Sequence, residues 1–332
     1  RLHELTDEEW DAAASVLREN HRWDDLWQLA QVAPADWSVR LLDHLRGSDW
    51  EPQADQDRSA LRDLVRWTDG CREEPPFLGR LMRSVTPLVG HAEAISCLAA
   101  SRDGSTLASA SQDRTVKLWR LAEGEAFATL EGHADWIDCL ALSPDEQVLA
   151  SGSRDRSVRL WSWPEGKPLH HLCGHEDEIR CLTFNSEGSL LATGSSDASV
   201  RLWRVREGCE TAKLTGHSDI VSCMAVSPDG RWLASGSYDN DVRLWDLPSG
   251  QPVATLKGHK ALINHVAFSP DGARLVSGSK DRSALVWSLP ERLKLERLKG
   301  HRDDVSCLAI HPDGELLATG SWDSTIRLWR LS

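Results

Sequence analysis

The sequence predicts an all-β protein, a propeller of six four-stranded blades closed by an N-terminal strand and preceded by a small α-helical region. Three observations predict it. The pair Gly-His recurs at Gly90-His91, Gly132-His133, Gly174-His175, Gly216-His217, Gly258-His259 and Gly300-His301, always 42 residues apart. A Trp follows at the same step, at Trp119, Trp161, Trp203, Trp245, Trp287 and Trp329. Between them every unit holds four short runs with strand patterning. A fixed period of this size is the signature of stacked supersecondary units, which bury together what none could bury alone.

The unit 216–257 shows the elements in order. Its first strand is expected at 220–226, an apolar run that ends at Ser227-Pro228-Asp229-Gly230. Pro and Gly at those places suit a tight hairpin. The second strand is expected at 232–237. The third, 241–247, is entered through a short turn containing Asp239. The fourth, 252–257, follows Pro248-Ser249-Gly250. Four short antiparallel strands with turns between them make one blade.

The pattern Gly-His, then Ser-Gly-Ser-x-Asp, then Leu-Trp resembles the WD-repeat family of β-propellers over residues 81–332. Only Trp245-Asp246 carries the literal Trp-Asp pair; Arg120, Ser162, Arg204, Ser288 and Arg330 follow the other Trp residues.

The last repeat stops after its third strand, at Arg330-Leu331-Ser332, while a strand-like segment, Leu81–Val89, stands before the first Gly-His where other repeats have their fourth strand. One orphan strand and one three-stranded remainder make one whole blade. Their pairing would cover sheet edges otherwise left open. A longer chain with a seventh repeat is the alternative, and the matching ends argue against it.

Each repeat also holds His, Ser or Thr, Asp and Trp at fixed spacing, for example His175, Thr193, Asp197 and Trp203. A hydrolase would need the same residue types, but with an exposed nucleophile, an oxyanion hole and a cleft. The resemblance implies instead a hydrogen-bonded chain inside each blade. The chemistry fits: indole N–H donates to the hydroxyl, the hydroxyl donates to one His nitrogen, and the other nitrogen donates to the carboxylate. No Gly-rich phosphate loop, zinc-ligand spacing or nucleophile elbow stands beside these sets, so neither an enzyme nor a cofactor is expected.

Cysteine is expected as packing. Cys97, Cys139, Cys181, Cys223 and Cys307, with His265, occupy one first-strand position on six blades, and ligands of one ion cannot be spread around a ring. His170, His171, Cys173 and His175 lack a second ligand pair. Regular recurrence is no disulfide framework, and a reducing, cytoplasmic compartment is expected. The net charge of −13 argues against a nucleic-acid partner, and no apolar run is long enough to span a bilayer, so no membrane partner is expected either.

Binding should fall where the repeats differ. Three positions per repeat vary freely, and in WD-repeat propellers such positions line the top face around the channel mouth. The candidate contacts are Trp136, Asp138, Arg154, Glu178, Arg180, Tyr238, Lys280, Asp304 and Trp322. Aromatic residues at variable surface positions are candidate hot spots. The mixed charges point to a protein or peptide partner; the competing reading is that the aromatic side chains cover neighbouring loops or dock the N-terminal region.

Residues 1–80 form a different region, with 18 Asp and Glu, 10 Arg and no Lys. Thr6-Asp7-Glu8-Glu9 reads as a capping box ahead of Trp10, Ala13, Ala14 and Leu17, and three further helices are expected near 23–30, 34–45 and 57–68. They are expected to pack against the propeller or to be the remnant of a larger helical domain, with a small self-contained bundle as the alternative. The expected function is that of an interaction scaffold. The alternative is a regulatory or sensor module of a larger multidomain enzyme, whose partner would then be a domain of the same longer chain.

Overall fold

The computed structural model of the chain describes residues 88–331, apart from Pro248 and Pro290. The helices expected within 1–80, and residues 81–87 of the expected closing strand, lie outside the described residues. Leu88 and Val89 are not part of a strand.

Twenty-three strands form six antiparallel sheets, each in simple sequence order. Blade 1 holds β1 (Ile95–Ala100), β2 (Thr106–Ser111), β3 (Val116–Arg120) and β4 (Glu125–Leu130). Blade 2 holds β5 (Ile137–Leu142), β6 (Val148–Ser153), β7 (Ser157–Ser162) and β8 (Pro168–Cys173). Blade 3 holds β9 (Ile179–Phe184), β10 (Leu190–Ser195), β11 (Val200–Arg204) and β12 (Cys209–Leu214). Blade 4 holds β13 (Val221–Val226), β14 (Trp232–Ser237), β15 (Val242–Asp246) and β16 (Gln251–Leu256), each within a residue or so of its expected position. Blade 5 holds β17 (Ile263–Phe268), β18 (Arg274–Ser279), β19 (Ser283–Ser288) and β20 (Leu293–Lys299). Blade 6 holds β21 (Val305–Ile310), β22 (Leu316–Ser321) and β23 (Ile326–Arg330), and is three-stranded among the described residues.

The cores lie between blades, not within them. Val116 and Leu118 of blade 1 pack with Ile137, Leu149 and Trp161 of blade 2. The same set recurs at each later junction, ending with Ala284 and Val286 against Val305 and Leu317. Burying one such side chain contributes about 1.5–3 kcal/mol, so stacking supplies most of the stability of a blade that is too thin to hold a core of its own. Blades approach closely enough to demand glycine. A Cβ on Gly236 would stand 2.6 Å from the Ile263 side chain and 2.7 Å from Cys223 Sγ.

Five junctions are packed in this way. The sixth, between blade 6 and blade 1, has no such core among the described residues. Ile326 and Leu328 are 76% and 71% exposed, although their counterparts in earlier blades are buried. Ile95 and Leu98 are exposed on the facing side. Ring closure is therefore not seen among residues 88–331.

Candidate partner-binding face

The six polar quartets are assembled as their chemistry demands. In blade 3, Trp203 Nε1 donates to Thr193 Oγ1 at 2.9 Å, Thr193 Oγ1 is 2.9 Å from His175 Nε2, and His175 Nδ1 is 2.8 Å from Asp197. The other five blades repeat the chain, with His–Asp distances of 2.8–3.0 Å. Each Asp also accepts the backbone N–H of the residue after the His, as Asp197 does from Glu176 at 3.0 Å. Thus the quartet ties the loop entering a blade to the turn between its second and third strands.

Burial alone would raise the Asp197 carboxyl, but hydrogen bonds from His175, Ser199 and the Glu176 amide outweigh it and hold the group well below the usual carboxylate range. Burial pushes His217 down, against the pull of Asp239. An ionised Asp beside a neutral His is the state in which every donor has an acceptor. The hydroxyls at the centre, Ser109, Ser151, Thr193, Ser235, Ser277 and Thr319, are at most 1% exposed, so no substrate reaches them. They are structural groups.

Cys139, Cys181 and Cys223 are packed at the blade junctions, and burial pushes the Cys223 thiol up to about 12. Cys173 Sγ lies 3.6 Å from His171, yet no group of three or more metal-binding side chains forms among the described residues. Seven cysteines are free among those residues.

The variable positions converge on one end of the blades. In each blade a backbone hydrogen bond of 2.9–3.0 Å joins the loop before the first strand to the turn before the quartet Asp, for example Arg154 N–H to Trp136 O and Trp322 N–H to Asp304 O. The remaining variable residue of each blade is a β-bulge. Ile137 pairs with Ser153 and Cys139 with Gly152, which leaves Asp138 as the extra residue; Arg180 and Asn264 are extra in the same way. A bulge re-aims a side chain out of the sheet alternation. Periodicity could not reveal it, because a bulge has no residue signature here.

Ser306 bonds within its own blade, to Gly320 O, and the other five bulged side chains divide into two kinds. Ser96, Ser222 and Asn264 donate to backbone carbonyls of the next blade, at Ile137, Ile263 and Val305, and so stitch blades together. Asp138 and Arg180 instead join a charged cluster. Arg154 Nε is 3.0 Å from Asp138, and Arg180 Nη1 is 3.2 Å from both Asp138 and Glu178. The Arg154 guanidinium stacks over Trp136, 4.4 Å from the ring centre. Five of the nine candidate contacts are thus gathered across blades 2 and 3, with their charges paired among themselves. Lys280 and Asp304 pair at 3.7 Å across blades 5 and 6. Tyr238 stands half-buried on blade 4. Trp322 is 75% exposed.

Reading three positions per repeat missed Lys260 and Arg302, whose backbone N–H groups meet the quartet aspartates of blades 5 and 6, and Arg282, which follows Asp281 in the chain. A count of charge by blade would have found them.

Two family descriptions match the chain. Residues 136–304, half of its length, match the second β-propeller of echinoderm microtubule-associated proteins. Residues 82–120 and 293–330 match the WD domain, or G-beta repeat. No curated protein matches the chain.

Proposed function

Because the chain belongs to the WD-repeat β-propeller family, whose members generally mediate protein–protein interactions, we propose that it is an interaction scaffold that holds a protein or peptide partner on the face built from these loops. The observation that carries the reading is the grouping of variable side chains on the loop end while the repeated ones are consumed inside the blades. Families of this kind are typically non-catalytic, and the burial of all six hydroxyls supports a non-enzymatic role. A reducing, cytoplasmic setting goes with the reading, as do a protein rather than a nucleic-acid or membrane partner and the absence of a cofactor. Supply of the sixth blade's fourth strand by the segment before Leu88 belongs to it too. The repeat match that begins at residue 82 supports this, as does the absence of a fourth strand beside β23 among the described residues.

The test is affinity capture with mass spectrometry, using the chain and a folded Trp136→Ala, Tyr238→Ala, Trp322→Ala variant as baits. A partner captured by the first and lost with the second is the expected result. Equal capture by both baits would move the binding surface elsewhere.

A further inference from the structure

The loop end of the blades is not electrically uniform. Residues 257–302 hold ten Lys and Arg against four Asp and Glu, in a chain of net charge −13. The fold gathers part of this excess around one quartet. Lys260 donates its backbone N–H to Asp281 at 2.9 Å, and Lys280 and Arg282 flank that same aspartate in the chain. Lys280 is tied to the loop of Lys260 by its N–H to Leu262 O, at 3.0 Å. Arg302 enters the neighbouring blade at the position that Lys260 holds in its own.

Lys260, Arg282 and Arg302 are exposed and make no ion pair among the described residues. Asp281 does not neutralise them, because His259 and Arg297 already bind its carboxylate. The contrast with blades 2 and 3 is direct, since there Arg154 and Arg180 are spent on Asp138 and Glu178. On the same end stands a large apolar side chain. The Trp322 backbone N–H donates to Asp304 O, and the Asp304 carboxylate meets Lys280, so the turn that carries the exposed Trp322 is tied to the residue that pairs with Lys280.

We propose that blades 5 and 6 form the partner-docking sector of this face, and that they take an acidic peptide segment with one apolar anchor residue. Carboxylates of the segment meet Lys260, Arg282 and Arg302, and the anchor lies on Trp322. Charge complementarity sets encounter and register, while the indole supplies the desolvated contact. The proposal rests on the scaffold reading and narrows it to one sector and one chemistry of partner.

The experiment uses fluorescence anisotropy with the whole chain and a fluorescein-labelled, Glu-rich peptide carrying a single central Leu. A Lys-rich counterpart, an unlabelled single-stranded oligonucleotide and phosphatidylserine vesicles are compared with it. The acidic peptide binds the wild type, and Lys260→Glu with Arg282→Glu weakens it about tenfold or more. Arg231→Glu with Arg292→Glu, an equal charge change at the opposite end of blades 4 and 5, leaves Kd within about twofold. Trp322→Ala weakens the Leu-bearing peptide more than a Gly-bearing one. Equal Kd for both charge-reversed proteins overturns the assignment, as does tighter binding of the oligonucleotide or the vesicles through Lys260 and Arg282. Binding of the Lys-rich peptide alone overturns the sector but keeps the face if the Trp136, Tyr238 and Trp322 substitutions abolish it. If no top-face substitution affects any probe, both readings fail.

Discussion

Arg297 Nη1 lies 3.0 Å from the carboxylate of Asp281, and it does so in the one blade whose third strand lacks a basic residue. Blades 1–4 and 6 carry Lys117, Arg159, Arg201, Arg243 and Arg327 at that position, and blade 5 carries Leu285. Arg159 donates to Gly132 O at 2.8 Å; in blade 5, Arg297 reaches the corresponding Gly258 O from the fourth strand. The contact is kept although its source has moved to a neighbouring strand.

This exchange predicts a coupled pair. Arg297→Thr alone should cost about 1–3 kcal/mol by removing the charge-assisted bonds to Asp281 and Gly258 O. Adding Leu285→Arg should restore most of it, since neighbouring sites couple. Chemical denaturation of the two single variants and the double variant measures the coupling, and simple additivity would contradict it.

The quartets set the acid limit of stability. Asp155 and Asp197 are held low in the folded state, so their contribution is complete above the unfolded carboxyl value of about 4 and is lost as pH falls through the folded one. His217 is also pushed down, so its contribution is complete above about 6.5 and declines below it. Melting temperature should therefore begin to fall near pH 6.5 and fall faster below pH 4. Asp197→Ala should cost about 1–3 kcal/mol at pH 7 and flatten the acid limb. An unchanged melting transition would refute the network.

Buried thiols set the alkaline limit. The Cys223 thiol is pushed up to about 12 by burial, so it stabilises below the unfolded value of about 8.5 and is lost as pH rises towards 12. Cys223→Ala should flatten that limb. In native protein at pH 8, iodoacetamide should label the exposed Cys173 and Cys209 and spare Cys139 and Cys223, as read by peptide mapping.

Blade spacing is tested at Gly236. Alanine there drives a methyl group into Ile263 and Cys223 and should cost about 1–3 kcal/mol. Ala110 fills the same position in blade 1, which shows that a methyl is tolerated where neighbours are built around it. Cys223→Ala in the Gly236→Ala background should therefore recover part of the loss.

Blade count, strand positions and quartet partners were legible because each repeats at 42 residues, and a periodic pattern declares itself in one sequence. The bulges at Asp138 and Arg180 were not legible, since bulging is a property of pairing register and not of residue type. Nor was the difference between Asn264, which stitches blades, and Asp138, which meets two arginines; both look like variable surface positions. Comparing single positions also hid the basic excess of blade 5, which lies in residues adjoining those positions. The open faces at Ile95 and Ile326 were not legible either, since both positions carry apolar residues of the kind that are buried in the other blades.

The most direct test is hydrogen exchange on the complex with a captured partner. The account predicts protection in the loops around Trp136, Tyr238, Lys280 and Trp322, with the opposite hairpins at 143–147, 185–189 and 227–231 unchanged. Protection confined to those hairpins would contradict it.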